Sequence, residues 1–312
     1  MRLKYIILLS RPLNLVIVAI TMYITRYIVL TDVLHKKAEI DLIVKGVHFS
    51  ALVLAALLIT AAGNVINDYF DQKVDKINKP DKVIVGKTVN RKMAILIHQG
   101  LNGIALSLSI WVASVYHFWQ LLFIPLTIMF LLWWYSPLLK KKPFVGNLLV
   151  AICTAAVPVF ASITDLYLLR DSLKVMTVNN TMALQSYSWL WVLGISAFAF
   201  VLTMIREAVK DAEDVPGDRS ERYQTLPIVW GMKRTKLYVS GWMIVYFLMV
   251  SWCMSRLSES MDFAWITGCL ILPMLIAALN VYRASMPSDF SRVSRWIKFA
   301  MVGGLLLMIV LL

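Results

Sequence analysis

Residues 50–82 read "SALVLAALLITAAGNVINDYFDQKVDKINKPDK". Eighteen residues without a charge run straight into four aspartates, Asp68, Asp71, Asp75 and Asp81, and four lysines, Lys73, Lys76, Lys79 and Lys82. About 20 apolar residues are enough to cross a bilayer as a helix. The stretch therefore reads as a membrane span that ends in a concentration of charge.

The same apolar pattern returns along the chain, near 12–30, 48–67, 93–114, 117–135, 144–163, 188–209, 237–255, 263–282 and 296–312. Of the 312 residues, 60% are hydrophobic and 16% charged, and the mean hydropathy is +0.73. A soluble domain averages about 25% charged. The expected fold is all-α, a polytopic membrane protein of about nine spans forming a single domain over 1–312. The first span follows "MRLKYIILLSRP" without a small-residue cleavage site, so it reads as a retained helix.

The basic residues are unevenly placed. The N-terminus and the connections 71–92, 140–142, 206–236 and 283–298 hold 24 of the 31 lysines and arginines. The connections 31–47, 164–187 and 256–262 are poorer in base. Positive charge favours the cytoplasmic side, so the basic loops are expected there, in an inner membrane of bacterial or archaeal type. The formal charge of +13 reads as topology and attraction to anionic head groups rather than a nucleic-acid footprint. Cys153, Cys253 and Cys269 lie inside spans without CxxC spacing, which predicts neither a disulfide framework nor a zinc site. His98 and His117 suggest no metal site either. "NNT" at 179–181 matches a glycosylation sequon.

Asp68, Asp71 and Asp75 are spaced three and four apart and share one face of a helix, with Pro80 the first strong stop. Like charges stacked in this way repel unless a cation sits among them. A second copy follows in "KDAEDVPGD", where Asp211, Asp214 and Asp218 each stand 143 residues after their counterparts. Here Pro216 and Gly217 are expected to end the helix before Asp218. "DKVIVGKTVNRK" and "TLPIVWGMKRTK" also resemble each other, with Gly86 and Gly231 before the bases. The spacing predicts two tandem pseudo-repeats in parallel orientation, an arrangement that builds a site between its halves.

Two facing carboxylate clusters suit a hard divalent cation that keeps positions open for water and phosphate. Such metals turn a diphosphate into a good leaving group. Lys73, Lys140, Lys141, Lys142, Arg206, Lys210 and Arg219 are candidates for phosphate oxygens.

"NDYFDQKVD" resembles the NDxxDxxxD signature of the UbiA superfamily of intramembrane prenyltransferases, and "DAEDVPGD" is similar to its second aspartate motif. The resemblance covers essentially the whole chain. It implies a helical bundle around a central cavity, Mg2+ as cofactor, and prenyl transfer from an allylic diphosphate to a membrane-associated acceptor. It also implies that Asn67, Asp71 and Asp75, with Asp68 beside them, form the first metal and diphosphate site. Asp211, Asp214 and Asp218 form the second, and Asp71, Asp75, Asp211 and Asp214 are the catalytic set. "REAVKDAEDVPGDRSERYQTLPI" and "YSPLLKKKPFVGNLLVA" are similar to the branch of geranylgeranylglycerol-phosphate geranylgeranyltransferases. In that branch the acceptor is a hydroxyl of a prenylglyceryl phosphate, and Lys140, Lys141, Lys142 and Arg206 are candidates for its phosphate. "NKPDKVIVGK" departs from the "RPIPSG"-like segment common in the superfamily, and sister branches prenylate aromatic acceptors for quinone synthesis.

Less specific readings stand beside these. The acid clusters can be solvated helix ends, and the three-lysine run a topological determinant. Arg11, Pro12 and Asn14 either project a polar pair into the cavity or simply begin the first helix, and Tyr135 and Tyr223 border the same loops. A secondary transporter would place its carboxylates nearer the bilayer midplane. A CDP-alcohol phosphatidyltransferase would carry one compact motif with DG and AR pairs, which is absent. No protein partner is evident.

Overall fold

The computed structural model describes residues 3–172, 178–255 and 264–311. Among them the regular structure is helical, and the one strand-like feature is an isolated bridge between Val85 and Val89. A short α1 (Leu3–Leu9) precedes α2 (Pro12–Tyr23), which continues through a π-helical segment, Ile24–Leu30, into α3 (Thr31–Ala38). Then come α4 (Gly46–Phe70), α5 (Gln72–Asn78), α6 (Arg91–Val115), α7 (Phe123–Trp134) and α8 (Val145–Ser172). The chain closes with α9 (Val178–Ser220), α10 (Leu226–Met254), α11 (Leu272–Arg283) and α12 (Pro287–Leu311).

Eight stretches of the described residues are long and apolar enough to cross a membrane, the first from Pro12 to Lys36 and the eighth from Ala264 to Arg283. The ninth expected span, 296–312, falls in α12, which carries Arg292, Arg295 and Lys298 in its first half and is not among the eight. Several expected connections are helical instead. The region 31–47 is taken up by α3 for much of its length, and 164–187 is entered from both ends by α8 and α9. Continuing a helix keeps backbone groups paired where the chain leaves the membrane. The connection 256–262 lies outside the described residues, as do the side chains of the sequon at 179–181.

Packing divides the bundle into two main cores. Met22, Phe49, Leu52, Val112, Leu121 and Phe160 join α2, α4, α6, α8 and the 3₁₀ turn before α7. Ile205, Val209, Tyr246, Met274, Val293 and Ile297 join α9, α10, α11 and α12. Large apolar side chains such as Leu54, Ile104, Phe123, Phe130, Leu237 and Leu248 point outward, as a lipid-facing surface requires.

At the end of the bundle opposite the aspartates, Arg26 and Asp165 are buried together at 1% and 3% exposure. Arg26 Nε donates to Asp165 Oδ2 at 2.6 Å, and the backbone N–H groups of Ile43 and Val44 donate to Asp165 Oδ1 at 2.9 and 2.8 Å. Arg26 also donates to the Val44 carbonyl and lies over the rings of Tyr27 and Phe49. A buried ion pair is tolerated when its remaining hydrogen-bonding capacity is filled. Here it fastens the segment before α4 to α8.

Candidate active site

The first motif does not continue as one helix. α4 ends at Phe70, Asp71 takes φ −81° and ψ 1°, and α5 begins at Gln72. No residue between Asp68 and Asp75 is a helix breaker, so the sequence predicted a continuous face. The break turns Asp71 inward, where it is 2% exposed. Asn67 Nδ2 donates to Asp71 Oδ2 at 2.7 Å, and Lys140, from the turn after α7, pairs with the same oxygen. Burial opposes the Lys140 charge, but Asp71 and Tyr135 outweigh it and raise the pKa. Asp68 holds Arg11 at 2.6 Å. Asp75 is half-buried, and burial together with the charge of Asp71 pushes its carboxyl up to about 6. A carboxylate strained in this direction is relieved by a cation.

The second motif also departs from expectation. α9 runs through Pro216 and Gly217 to Ser220, so Asp218 is helical. A proline inside a helix leaves local backbone groups short of partners, and a side chain from α5 supplies one. Asn78 Oδ1 accepts from the Gly217 N–H at 2.8 Å, and Asn78 Nδ2 donates to the Asp214 carbonyl at 3.0 Å. The neighbouring Lys79 donates to Asp214 Oδ1 at 2.9 Å. Burial works against the Lys79 charge as well, and Asp214 overcomes it, raising the pKa. Gly217 permits this approach, since a Cβ there would lie 2.6 Å from Asn78 Nδ2. Asp211 accepts from Asn147 Nδ2 of α8 at 3.0 Å, and Asp218 is buried. The Gln224 N–H donates to the Lys141 carbonyl at 2.9 Å, joining the turn after α9 to the loop before α8.

The two motifs therefore face each other, with Lys140 within electrostatic reach of Asp71 and Asp218 alike. Tyr135 lies between them, within reach of Asp71, Asp211 and Lys140. Several sequence candidates do not enter this space. Lys73 is exposed and lies 3.8 Å from Glu221. Arg219 and Lys142 are exposed, and Lys141 is spent over the face of Tyr223. Of the three-lysine run only Lys140 turns inward. Asn14 is half-buried in the first turn of α2, and Asp81 sits exposed in a 3₁₀ turn. Arg206 and Lys210 both grip Glu207, at 2.5 and 3.3 Å. Asn78, Lys79, Asn147 and Glu207 escaped the sequence reading. Asn78 and Lys79 carry a faint signal in their place between the first motif and Pro80, and Asn147 has none.

The seven expected metal ligands lie on α4, the break after it, α5 and α9. Among the described residues no three carboxylate, histidine or cysteine groups form a cation site by themselves. Each of three acids holds a base instead: Asp68 has Arg11, Asp71 has Lys140 and Asp214 has Lys79. In the first motif two buried oxygens nevertheless have no partner, Asn67 Oδ1 and Asp71 Oδ1. Buried acceptors without donors are costly, and a pair of hard oxygens beside further carboxylates fits magnesium. Asn67, Asp71 and Asp75 on one side and Asp211, Asp214 and Asp218 on the other suit that ion chemically.

Gly86 and Gly231, the paired glycines of the two similar segments, both adopt positive φ, 82° and 77°. They are alone in this among the described glycines. Gly86 lets the chain turn in the loop before α6 and Gly231 kinks α10 within its first turns, as a left-handed residue does most readily when it is glycine.

Comparison with known proteins bears on the family and the fold. The chain is 32% identical over 304 residues to the digeranylgeranylglyceryl phosphate synthase of Methanothermobacter thermautotrophicus, covering 93% of this chain and 90% of that one. It is 31% identical over 250 residues to the enzyme of the same name from Natronomonas pharaonis, covering 80% and 79%. A solved structure described as a digeranylgeranylglyceryl phosphate synthase shares the fold with a TM-score of 0.65 at 24% identity, covering 99% of this chain and 97% of that one. The UbiA homologue from Archaeoglobus fulgidus, solved with GPP and Mg2+, shares the fold at 0.57 and 15% identity, covering 97% and 99%. The UbiA prenyltransferase family model matches residues 33–302. The chain belongs to the UbiA prenyltransferase family and is a multi-pass membrane prenyltransferase.

Proposed function

We propose that this enzyme moves a geranylgeranyl group from its diphosphate to the free hydroxyl of a geranylgeranylglyceryl phosphate, making the second ether bond of a membrane lipid. The observation that carries this reading is the near full-length likeness to the two digeranylgeranylglyceryl phosphate synthases. The motif-bearing end is read as cytoplasmic, since the basic connections gather there. Donor and acceptor head groups would then enter from that side, with their chains among the helices.

Magnesium is the proposed cofactor, and when bound it draws charge from the diphosphate and makes it a better leaving group. Asn67, Asp71, Asp75, Asp211, Asp214 and Asp218 would hold it, with Asp68 beside them. Lys140 and Arg11 stand at the edge of this set and bind phosphate oxygens by charge-assisted hydrogen bonds. The break after Phe70 orients Asp71, and Asn147 fixes Asp211. Tyr135, between the motifs, offers a ring face to positive charge developing on the allylic carbon. The allylic C–O bond to diphosphate breaks, the acceptor oxygen bonds to that carbon, and the hydroxyl proton leaves with the diphosphate. The surrounding helices keep water from competing for the same carbon.

Labelled geranylgeranyl diphosphate offered to the detergent-solubilised protein with geranylgeranylglyceryl phosphate should give the diether, and chelator should abolish it. 4-Hydroxybenzoate, homogentisate and a dihydroxynaphthoate in parallel should remain unprenylated. Prenylation of an aromatic acid and not of the lipid would overturn the reading.

A further inference from the structure

In the second half of the bundle lies a group of bases, of which only Lys210 is within reach of the motif aspartates. α9 and α12 pack side by side and run in opposite directions. Their register is fixed near the motif end, where Ser291 Oγ of α12 donates to Glu213 Oε1 of α9 at 2.6 Å. Seven residues back from Glu213 is Arg206, and seven residues on from Ser291 is Lys298. A seven-residue step returns a helix to nearly the same face. Arg206 and Lys298 are therefore carried to the same level on facing sides, roughly 10 Å further from the motif end at 1.5 Å per residue. Lys298 lies within electrostatic reach of Arg206, Lys210, Glu213 and Glu207.

Lys298 has no ion-pair partner there among the described residues. Glu207 gives one oxygen to Arg206 and the other to Lys210, at 2.5 and 3.3 Å. Glu213 is engaged by Ser291 through Oε1. Among the described residues no carboxylate lies within ion-pair distance of Lys298. Lys210 also has Asp211 and Asp214 within electrostatic reach, but the two carboxylates in reach of Lys298, Glu207 and Glu213, are already engaged, which leaves the charge of Lys298 in excess. Ionised groups at such depth in a membrane protein are expensive unless they are paired or serve a ligand. A phosphate monoester carries between one and two negative charges near neutral pH, and it matches this excess. The donor's diphosphate does not suit Lys298, because the carboxylates in its reach, Glu207 and Glu213, are already engaged and magnesium would find none free beside it.

We propose that Arg206, Lys210 and Lys298 form a subsite for the phosphate monoester of the acceptor, with Lys298 as the residue that makes the enzyme require a phosphorylated lipid. The proposal rests on the acceptor assigned above. Donor diphosphate and acceptor phosphate are then handled separately, the first at the paired motifs and the second between α9 and α12.

The test compares wild type with Lys298→Met, which keeps the side-chain length, and Lys298→Arg, which keeps the charge. Acceptors are geranylgeranylglyceryl phosphate and the same lipid without phosphate. In Lys298→Met, KM for the phosphorylated acceptor should rise about tenfold to a hundredfold, as for loss of one charge-assisted hydrogen bond. KM for geranylgeranyl diphosphate should stay within about twofold of wild type, and the preference for the phosphorylated lipid should collapse. Lys298→Arg should recover most of it. An unchanged acceptor KM, or an equal rise in donor KM, would overturn the subsite. Thermal unfolding with glycerol phosphate in the presence of chelator reads the subsite without turnover. Glycerol phosphate should raise Tm in wild type and not in Lys298→Met, and equal shifts, or none, would refute the proposal. A wild type that fails to prenylate the lipid yet shows the Lys298-dependent shift would instead remove the assigned acceptor and leave the phosphate subsite standing.

Discussion

Asn78 of α5 holds both the Gly217 N–H and the Asp214 carbonyl of α9, at 2.8 and 3.0 Å. One amide side chain thus bridges the two aspartate motifs and repairs the turn that Pro216 weakens.

Removing that bridge should be felt in stability before chemistry. Asn78→Ala leaves two backbone groups to find new partners, a loss of about 1–3 kcal/mol if they stay buried. Gly217→Ala should be comparably harmful, because its Cβ would meet Asn78 at 2.6 to 2.8 Å. In the double variant the clash disappears with the amide, so the combined loss should be smaller than the sum. Thermal unfolding in detergent measures all three, and simple additivity would show that Asn78 and Gly217 act independently.

Asp71→Asn keeps the shape of the side chain and removes its charge. Turnover should fall by at least about a hundredfold, since a group that stabilises only the transition state lowers kcat directly. Membrane insertion and elution as a monodisperse species should be unchanged. Near-normal prenyl transfer by the purified variant at saturating magnesium would remove Asp71 from the site.

At the opposite end, Arg26 and Asp165 should behave as a unit. Arg26→Met or Asp165→Leu alone strands a buried charge and should cost about 3–5 kcal/mol. The double substitution should unfold at a higher temperature than either single one. If each single change lowers Tm as little as an exposed substitution does, the pair is not holding the segment before α4.

The two left-handed glycines differ in their surroundings, and alanine should rank them. At Gly231 nothing lies within 4 Å of a built Cβ, so Gly231→Ala carries only the backbone penalty, about 1–2 kcal/mol. At Gly86 the added carbon would also meet Gln72 Oε1 at 2.8 Å. Gly86→Ala should therefore lose more, read as a larger drop in Tm.

Much of this architecture is legible in the sequence because lipid imposes it. Apolar runs of bilayer length must be helices, and acids three and four apart must share a face. What escapes is decided by contacts between distant segments. Nothing in "NDYFDQKVD" marks a break at Asp71, because the break exists to meet Lys140, 69 residues away. Pro216 reads locally as a stop and is kept helical by Asn78, 139 residues before Gly217. Among three adjacent lysines composition cannot choose, and it is the turn before α8 that sends Lys140 inward. The pairing of Arg206 with Lys298 follows from helix register, which no local pattern states.

The lysines that rest on the aspartates also constrain the order of events. Asp71 and Asp214 are each neutralised in the resting enzyme by a base that a diphosphate would want. Magnesium alone would have to displace Lys140 and Lys79 without offering them a new partner, and a bare diphosphate would draw them away while leaving the acids exposed to one another. Arriving together, each ligand supplies the counter-charge for the groups the other sets free. Donor and metal should therefore bind as a cooperative pair, each tightening the other by the same factor. The unliganded mouth of the enzyme, already internally compensated, should hold neither strongly by itself.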